Sequence, residues 1–290
     1  MRQALKKIYH RFIKFQPGLK YEYRVADYPV YVDHFIGKKG IEIGGPSRIF
    51  EYFGAVPLYP HIKDLDGVNF SGNTVWEGKI DQGKTFQFDE KKRLGDQYIG
   101  EASDLSFAAD EKYDFLISSN CLEHLANPLK AIGEWLRVIV PNGVLLIVVP
   151  HKDKTFDHQR PVTRFDHLLA DFSQNTGEDD MTHLEEILSM HDLSRDLPAG
   201  NFQQFSARCR NNIENRCMHH HVFSATLLSE IFRHLGRQVL SYNILNDGNI
   251  VILVRKHEIL VPDTSALNQA LLRSPFKTDI DDLRSRMLSQ

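Results

Sequence analysis

Between residues 97 and 150 short apolar runs alternate with one helical stretch, and no other feature constrains the fold of this chain as tightly. Tyr98-Ile99-Gly100-Glu101-Ala102 reads as a strand and its exit, Tyr113 to Ser118 as a second strand, and Val144 to Val149 as a buried strand. Pro128 to Val140 sets Leu129, Ile132, Leu136 and Ile139 at helical spacing, and Pro141-Asn142-Gly143 turns the chain. Strands alternating with helices predict an α/β fold with a doubly wound, mostly parallel sheet, here of seven strands. Upstream, Lys38 to Gly45 (KKGIEIGG) predicts a buried strand ending in a tight turn that opens a helix. Val56 to Tyr59 reads as a second short strand, and residues 60–99 as a loop with a hairpin excursion near Thr74–Trp76 and Thr85–Phe88. Downstream, Phe223 to Leu235 reads as a helix stopped by Gly236. Gln238 to Leu245 and Asn249 to Arg255, joined by Asn246-Asp247-Gly248, read as a hairpin, so the last strand should be antiparallel.

The organisation predicted is an N-terminal helical segment (1–37), a cofactor-binding half (38–150), an inserted polar cap (151–221), a last helix and terminal hairpin (222–256), and a polar C-terminal tail (257–290). With 290 residues, 42% hydrophobic and 25% charged, this is ordinary globular composition. The net charge of -3 gives no basic field of the kind that binds nucleic acid. Three cysteines make no disulfide framework and fit a reducing cytoplasm. The longest apolar stretch, Val144 to Val149, is far short of the roughly 20 residues of a membrane span, and charges interrupt the N-terminus too often for a signal peptide. Within residues 1–16, Leu5, Ile8, Phe12 and Phe15 recur at helical spacing among Arg2, Lys6, Lys7, Arg11 and Lys14. That segment is read as a helix capping the main domain, or as a basic amphipathic helix against an anionic membrane or a partner.

A strand, a glycine turn and a helix start make a corner where Gly44 and Gly45 let a ligand approach the backbone. The stretch Gly44-Gly45-Pro46-Ser47-Arg48-Ile49 lacks the later glycines of the dinucleotide fingerprint, and no Gly-Lys-Ser/Thr follows as in a Walker loop. Tyr59-Pro60-His61-Ile62-Lys63 has the Tyr-x-x-x-Lys spacing of short-chain dehydrogenases, but Pro60 opposes the helix that spacing requires.

The succession is more telling than any single turn. Glu42-Ile43-Gly44-Gly45 is followed by Gly100-Glu101-Ala102-Ser103-Asp104-Leu105-Ser106-Phe107, by Tyr113 to Asn120, by Cys121-Leu122-Glu123-His124-Leu125-Ala126-Asn127-Pro128, and by Trp135 to Gly143. This series resembles class I S-adenosylmethionine-dependent methyltransferases over residues 38–150 and again over 222–255. The segment from His151 to Val222 resembles a subgroup associated with sugar and surface-glycan gene clusters. The resemblance implies S-adenosylmethionine as cofactor. Gly44 and Gly45 would receive its carboxylate, Glu42 its amino end, Asp66 (with Asp64 as rival) the ribose, Glu101 and Ala102 (with Asp104 as rival) the adenine, and Ser119 and Asn120 the strand-end floor. Ser47 replaces the family's third glycine, and Pro46 has no amide to donate.

The insertion 151–221 falls where loops overhang the methyl-donor end of such a cleft, and it is dense in histidine and aspartate. Two chemistries fit: a histidine as general base on an acceptor hydroxyl, or a divalent metal held by histidines and acids. His151 and His219 are the expected catalytic residues, with Asp153 or Asp157 as orienting acid. His183 and His191, eight residues apart, would lie roughly 12 Å apart on one helix, too far for one ion. The reading is thus O-methylation of a small-molecule, sugar or glycan-type acceptor, with a metal ion left open. Its rivals are an NAD-dependent sugar oxidoreductase or epimerase, and a non-catalytic cofactor-binding scaffold of the same fold.

Overall fold

The computed structural model describes residues 24–259 and 263–288, so the amphipathic pattern at 1–16 lies outside the described residues. The described chain opens with helix α1 (Tyr28–Phe35), whose Tyr31 and Phe35 are fully buried. The strands follow as β1 (Lys39–Ile43), β2 (Asp64–Asn69), β3 (Asn73–Thr74), β4 (Gly78–Lys79), β5 (Gly83–Phe86), β6 (Gly95–Ile99) and β7 (Tyr113–Ser119). Helix α2 (Pro128–Val138) leads to β8 (Ile139–Pro150). The main sheet has order β5-β6-β2-β1-β7-β8 and then the hairpin, β10 (Asn249–Glu258) before β9 (Arg237–Ile244). From β6 to β8 all pairings are parallel, and β10 runs antiparallel to β8. The sheet therefore has the expected core and antiparallel end, plus an eighth strand, β5, antiparallel on the edge at β6.

Alternation sorts the strand side chains between two cores. Leu145, Ile147 and Val149 join Ile41, Ile43 and Leu116 under α2 and α7 (Ala225–His234). Val144, Leu146 and Val148 join Phe115 and Ile117 on the other face. That second face is covered partly by α1 and partly by a loop: Phe50, Val56, Leu58, Tyr59 and Ile62 are all buried there. Val56 to Tyr59 is therefore not a strand. Its apolar residues fill the core from irregular backbone, and the second strand is β2.

The insertion folds as a helical cap: α3 (Phe165–Gln174), α4 (Leu184–Met190), α5 (Phe202–Arg210) and α6 (Asn212–Asn215). It has its own small apolar cluster of Ile187, Ala199, Phe205, Cys209 and Met218. The tail is not featureless either. Helices α8 (Ser265–Arg273) and α9 (Lys277–Leu288) follow the hairpin, and Leu267, Ala270 and Leu271 of α8 join the core beneath α2 and α7. Among the described residues no helix is long and apolar enough to cross a membrane.

Candidate functional site

A cleft of about 1500 Å³ runs along the carboxyl edge of the parallel strands. Gly44 after β1, Asn69 and Phe70 at β2, Gly100 to Ala102 after β6, Ser119 and Asn120 at β7 and Pro150 at β8 all line it. Ligands of open α/β sheets bind at this edge. The volume exceeds the roughly 300–1,000 Å³ of a single small-ligand site, so two ligands fit side by side.

The floor at the glycine turn is bare backbone. Gly44 has φ of +81°, and a Cβ there would also touch Cys121 at 3.4 Å. No helix opens after the turn. Only a three-residue 3-10 turn, Arg48–Phe50, follows before the chain doubles back to bury Val56, Leu58 and Tyr59. The site thus has exposed backbone but no long helix aimed at it.

Glu42 lies beneath this turn, fully buried, and does not line the cleft. Its two carboxyl oxygens accept from the Ser47 amide (3.0 Å) and the Tyr59 hydroxyl (2.7 Å). Burial pushes its pKa up to about 7 in spite of those bonds. The expected contact of Glu42 with a ligand's amino end, direct or through water, has no direct path in this arrangement, where the carboxylate shapes the loop from below. A Cβ on Gly45 would collide with that carboxyl group, which is why the second glycine is needed.

Asp66 is corrected too. Its partner across β1 is Ile41, which puts it at mid-strand and 2% exposed. It accepts from the Tyr113 hydroxyl (3.0 Å) and the Asp96 amide (3.0 Å), and Lys39 lies 3.3 Å away. Asp64 is farther still from the cleft, at the first residue of β2. The strand end is Asn69, whose amide donates to the Gly45 carbonyl at 3.0 Å. Asn69 and Phe70 are the residues that sequence reasoning missed, because only the sheet register shows where β2 stops.

Glu101, Ala102, Ser119 and Asn120 do line the cleft. Asp104 does not; it is exposed and accepts from the Ser106 amide. Glu101 pairs with Arg216 of the cap at 2.5 Å, and the Arg216 guanidinium sits 5.4 Å over the Phe70 ring. The cap is therefore latched across the end of the cleft beside β2 and β6. Cys121 lines the cleft as a neutral thiol, its pKa pushed up to about 12 by burial and by Glu123.

The two expected catalytic histidines part company. His151 is 0% exposed and outside the cleft. Its Nδ1 accepts from the Asp153 amide, its Nε2 meets Asp279 of α9 at 3.1 Å, and its ring stacks on Phe276. Asp153 is occupied as well, accepting from the amide and hydroxyl of Thr278. Both fasten the root of the cap to the C-terminal helices, and neither lines the cleft. His219, by contrast, lines the cleft with Nδ1 at 2.5 Å from Asp157 Oδ2. Burial alone would lower the His219 pKa, but the charges of Asp157 and Glu123 outweigh it and raise it. Asp157 is held low: His219 and Arg160 more than offset its burial. Arg160 donates to Asp157 and to the His219 carbonyl, which fixes both partners of the pair.

Two more titratable residues share this wall. Ligand atoms of Glu123, His124 and His219 lie within 4.8 Å of one another, and that trio could hold a cation. His124 meets the Met218 carbonyl through Nδ1 at 3.0 Å, and burial with repulsion from His219 lowers its pKa well below the ordinary value. Burial raises Glu123 to about 7. Trp76, half exposed, packs edge-on to His124 at 5.3 Å, and Phe156 lies 4.7 Å from His219.

Residues 61–147 match the family model described as a methyltransferase domain. No curated protein matches the chain in sequence. Among solved structures it is similar to an S-adenosylmethionine-dependent methyltransferase from Methanosarcina mazei (14% identity, 80% of this chain and 99% of that one, TM-score 0.43). It is similar also to the N-methyltransferase NodS from Bradyrhizobium japonicum (12%, 78% and 90%, TM-score 0.42). A third likeness is to a chain of the complex between the Haloferax volcanii Trm112 methyltransferase activator and a methyltransferase (12%, 79% and 88%, TM-score 0.44).

Proposed function

We propose that this S-adenosylmethionine-dependent methyltransferase methylates a hydroxyl oxygen of a sugar or glycan-type acceptor, with His219 as the base. The observation that carries the reading is the Asp157–His219 pair in the wall of the cleft. Asp157 accepts a hydrogen bond from the ring's Nδ1–H and so leaves Nε2 as the acceptor for a substrate proton. Gly44, Asn69, Glu101, Ala102, Ser119 and Asn120 would hold the cofactor along the strand ends. When bound, the cofactor supplies an electrophilic methyl group on a sulfonium.

The chain's own contribution is alignment and one proton. A neutral hydroxyl is a weak nucleophile, so its proton passes to His219 Nε2 as the oxygen attacks. Asp157 then stabilises the imidazolium, and Arg160 keeps Asp157 from turning away. The half-exposed indole of Trp76 offers a sugar ring an apolar face, while Asp196, Arg208 and Asn249 line the same cleft and offer its hydroxyls polar partners. A second reading has a specific observation behind it: a divalent cation at Glu123, His124 and His219 would lower the acceptor hydroxyl's pKa in place of the base.

The test begins with calorimetric titration by S-adenosylhomocysteine and by NAD. Methyl-labelled donor is then offered to panels of free sugars, nucleotide sugars, oligosaccharides and amines, with and without chelator. Homocysteine-adduct binding with label in a sugar methyl ether supports the proposal, and chelator-sensitive turnover moves the mechanism to the cation. Label in amines alone refutes the oxygen acceptor.

A further inference from the structure

Away from the cleft wall, a second group of histidines converges between the cap and the main domain. His167 lies on α3, His183 immediately precedes α4, and His221 precedes α7. Ligand nitrogens of the three lie within 4.8 Å of one another. Nε2 of His167 and Nε2 of His183 are 2.9 Å apart. Asp171, one turn after His167 on α3, brings Oδ2 to 3.3 Å from His167 Nε2 and 3.7 Å from His221 Nε2. Hydrogen bonding accounts for only part of this cluster: His221 Nε2 lies 3.3 Å from the Ala126 carbonyl, and the Thr176 hydroxyl donates to Asp171 Oδ1 at 3.2 Å. His167 Nε2 bears at most one proton yet faces a nitrogen and a carboxylate oxygen at bonding distance. Asp171 Oδ2 is buried with no hydrogen-bond partner, in a residue 8% exposed. An unsatisfied polar atom in such a place calls for a missing partner.

The geometry points to a structural zinc-type site, and we propose that His167, His183, His221 and Asp171 bind one divalent transition-metal ion. Four ligands at 2.0–2.1 Å around a tetrahedral ion stand about 3.3–3.4 Å from one another. The separations of 2.9, 3.3 and 3.7 Å bracket that edge length. Three imidazoles and a carboxylate are a zinc-like donor set, poorly suited to magnesium or calcium. The His167 side chain is 38% exposed, which leaves the ion a way in. Bound there, the metal would tie α3 and the start of α4 to the strand of chain that carries His219, two residues before His221. The cap would then hold its place over the cleft without any covalent link.

The test uses the full chain. Chelator-stripped protein is titrated with zinc chloride by calorimetry and with cobalt chloride by visible absorption, and its melting temperature is followed. The expected result is one ion per chain at this site, a raised melting temperature, and the strong absorption of four-coordinate cobalt. His183→Ala and Asp171→Asn should lose or distort that signal, whereas Glu123→Gln, in the cleft trio, should keep it. If His183→Ala fails to fold, His183→Cys decides: it should retain the metal and add a sulfur-to-cobalt charge-transfer band. No binding to stripped wild-type protein overturns the proposal. So does a cobalt signal that vanishes in Glu123→Gln and survives unchanged in both the His183 and Asp171 variants.

Discussion

Gly45→Ala should injure this protein through Glu42, although residue 45 points no side chain anywhere. The new Cβ would lie 2.5 Å from Glu42 Oε2 and closer still to the carboxyl carbon. Glu42 is fully buried and can yield only by giving up its bonds from the Ser47 amide and the Tyr59 hydroxyl. Each hydrogen bond to a charged group contributes about 1.5–3 kcal/mol, so the alanine should cost roughly 3–6 kcal/mol. Glu42→Ala loses the same two bonds and leaves the buried Tyr59 hydroxyl without its acceptor, while the Ser47 amide keeps its bond to the Tyr59 oxygen, a similar cost. In the double variant the collision has gone, so it should be about as stable as Glu42→Ala alone. Urea unfolding of all four proteins at pH 8, where the Glu42 carboxyl is ionised, measures the cycle. A coupling of about 3 kcal/mol or more is expected. Additivity within about 0.5 kcal/mol would show that the two residues do not oppose each other and would refute the account of the turn.

Asp66→Ala should lower stability by about 1–3 kcal/mol, from lost buried hydrogen bonds, and leave S-adenosylhomocysteine affinity unchanged. Asn69→Ala should do the reverse by calorimetry, and a fall in affinity with Asp66→Ala would restore that residue to the site. His219→Asn should cut turnover roughly 10²–10⁴-fold at saturating donor while homocysteine-adduct affinity holds. Asp157→Asn should cut it less, and wild-type rates in both would dismiss the base. His151→Ala should lower the melting temperature and speed hydrogen exchange in α9, with turnover at low temperature largely kept; a turnover loss like that of His219→Asn would return His151 to the chemistry.

The parallel core was legible because β1, β7 and β8 bury apolar residues on both faces, and their turns are marked by glycine and proline. Where local pattern and burial disagree, the reading failed. Val56 to Tyr59 is as apolar as a strand because it covers a sheet face, whereas β2, Asp-Leu-Asp-Gly-Val-Asn, looks like a turn although it is a central strand. Its two acids drew the reading away from Asn69 at the strand end, which nothing in the local sequence distinguishes. The same limit separates the two histidines. His219, with Asp157 as one of two candidate acids, was singled out from composition and position, and the structure sets those two side chains against each other. His151 had equal claims until Asp279, 128 residues later in the chain, appeared against its ring. The tail helices escaped notice because α9 carries polar residues nearly throughout and α8 shows only a short apolar stripe.

That distance between His151 and Asp279 has a consequence for the order in which the molecule is made. At roughly 5–20 residues per second, a ribosome needs about 6–26 s to travel the 128 residues between them. Throughout that interval the root of the cap has no Asp279, Thr278 or Phe276 to close on. The opposite face waits too, since α1 is held by Tyr31 to Ser241 and by Asp27 to Asn243. Contacts of such long sequence separation form late. The nascent chain must therefore carry an unfinished cap and a partly uncovered sheet face for many seconds, which makes chaperone demand and expression temperature the first handles on its yield.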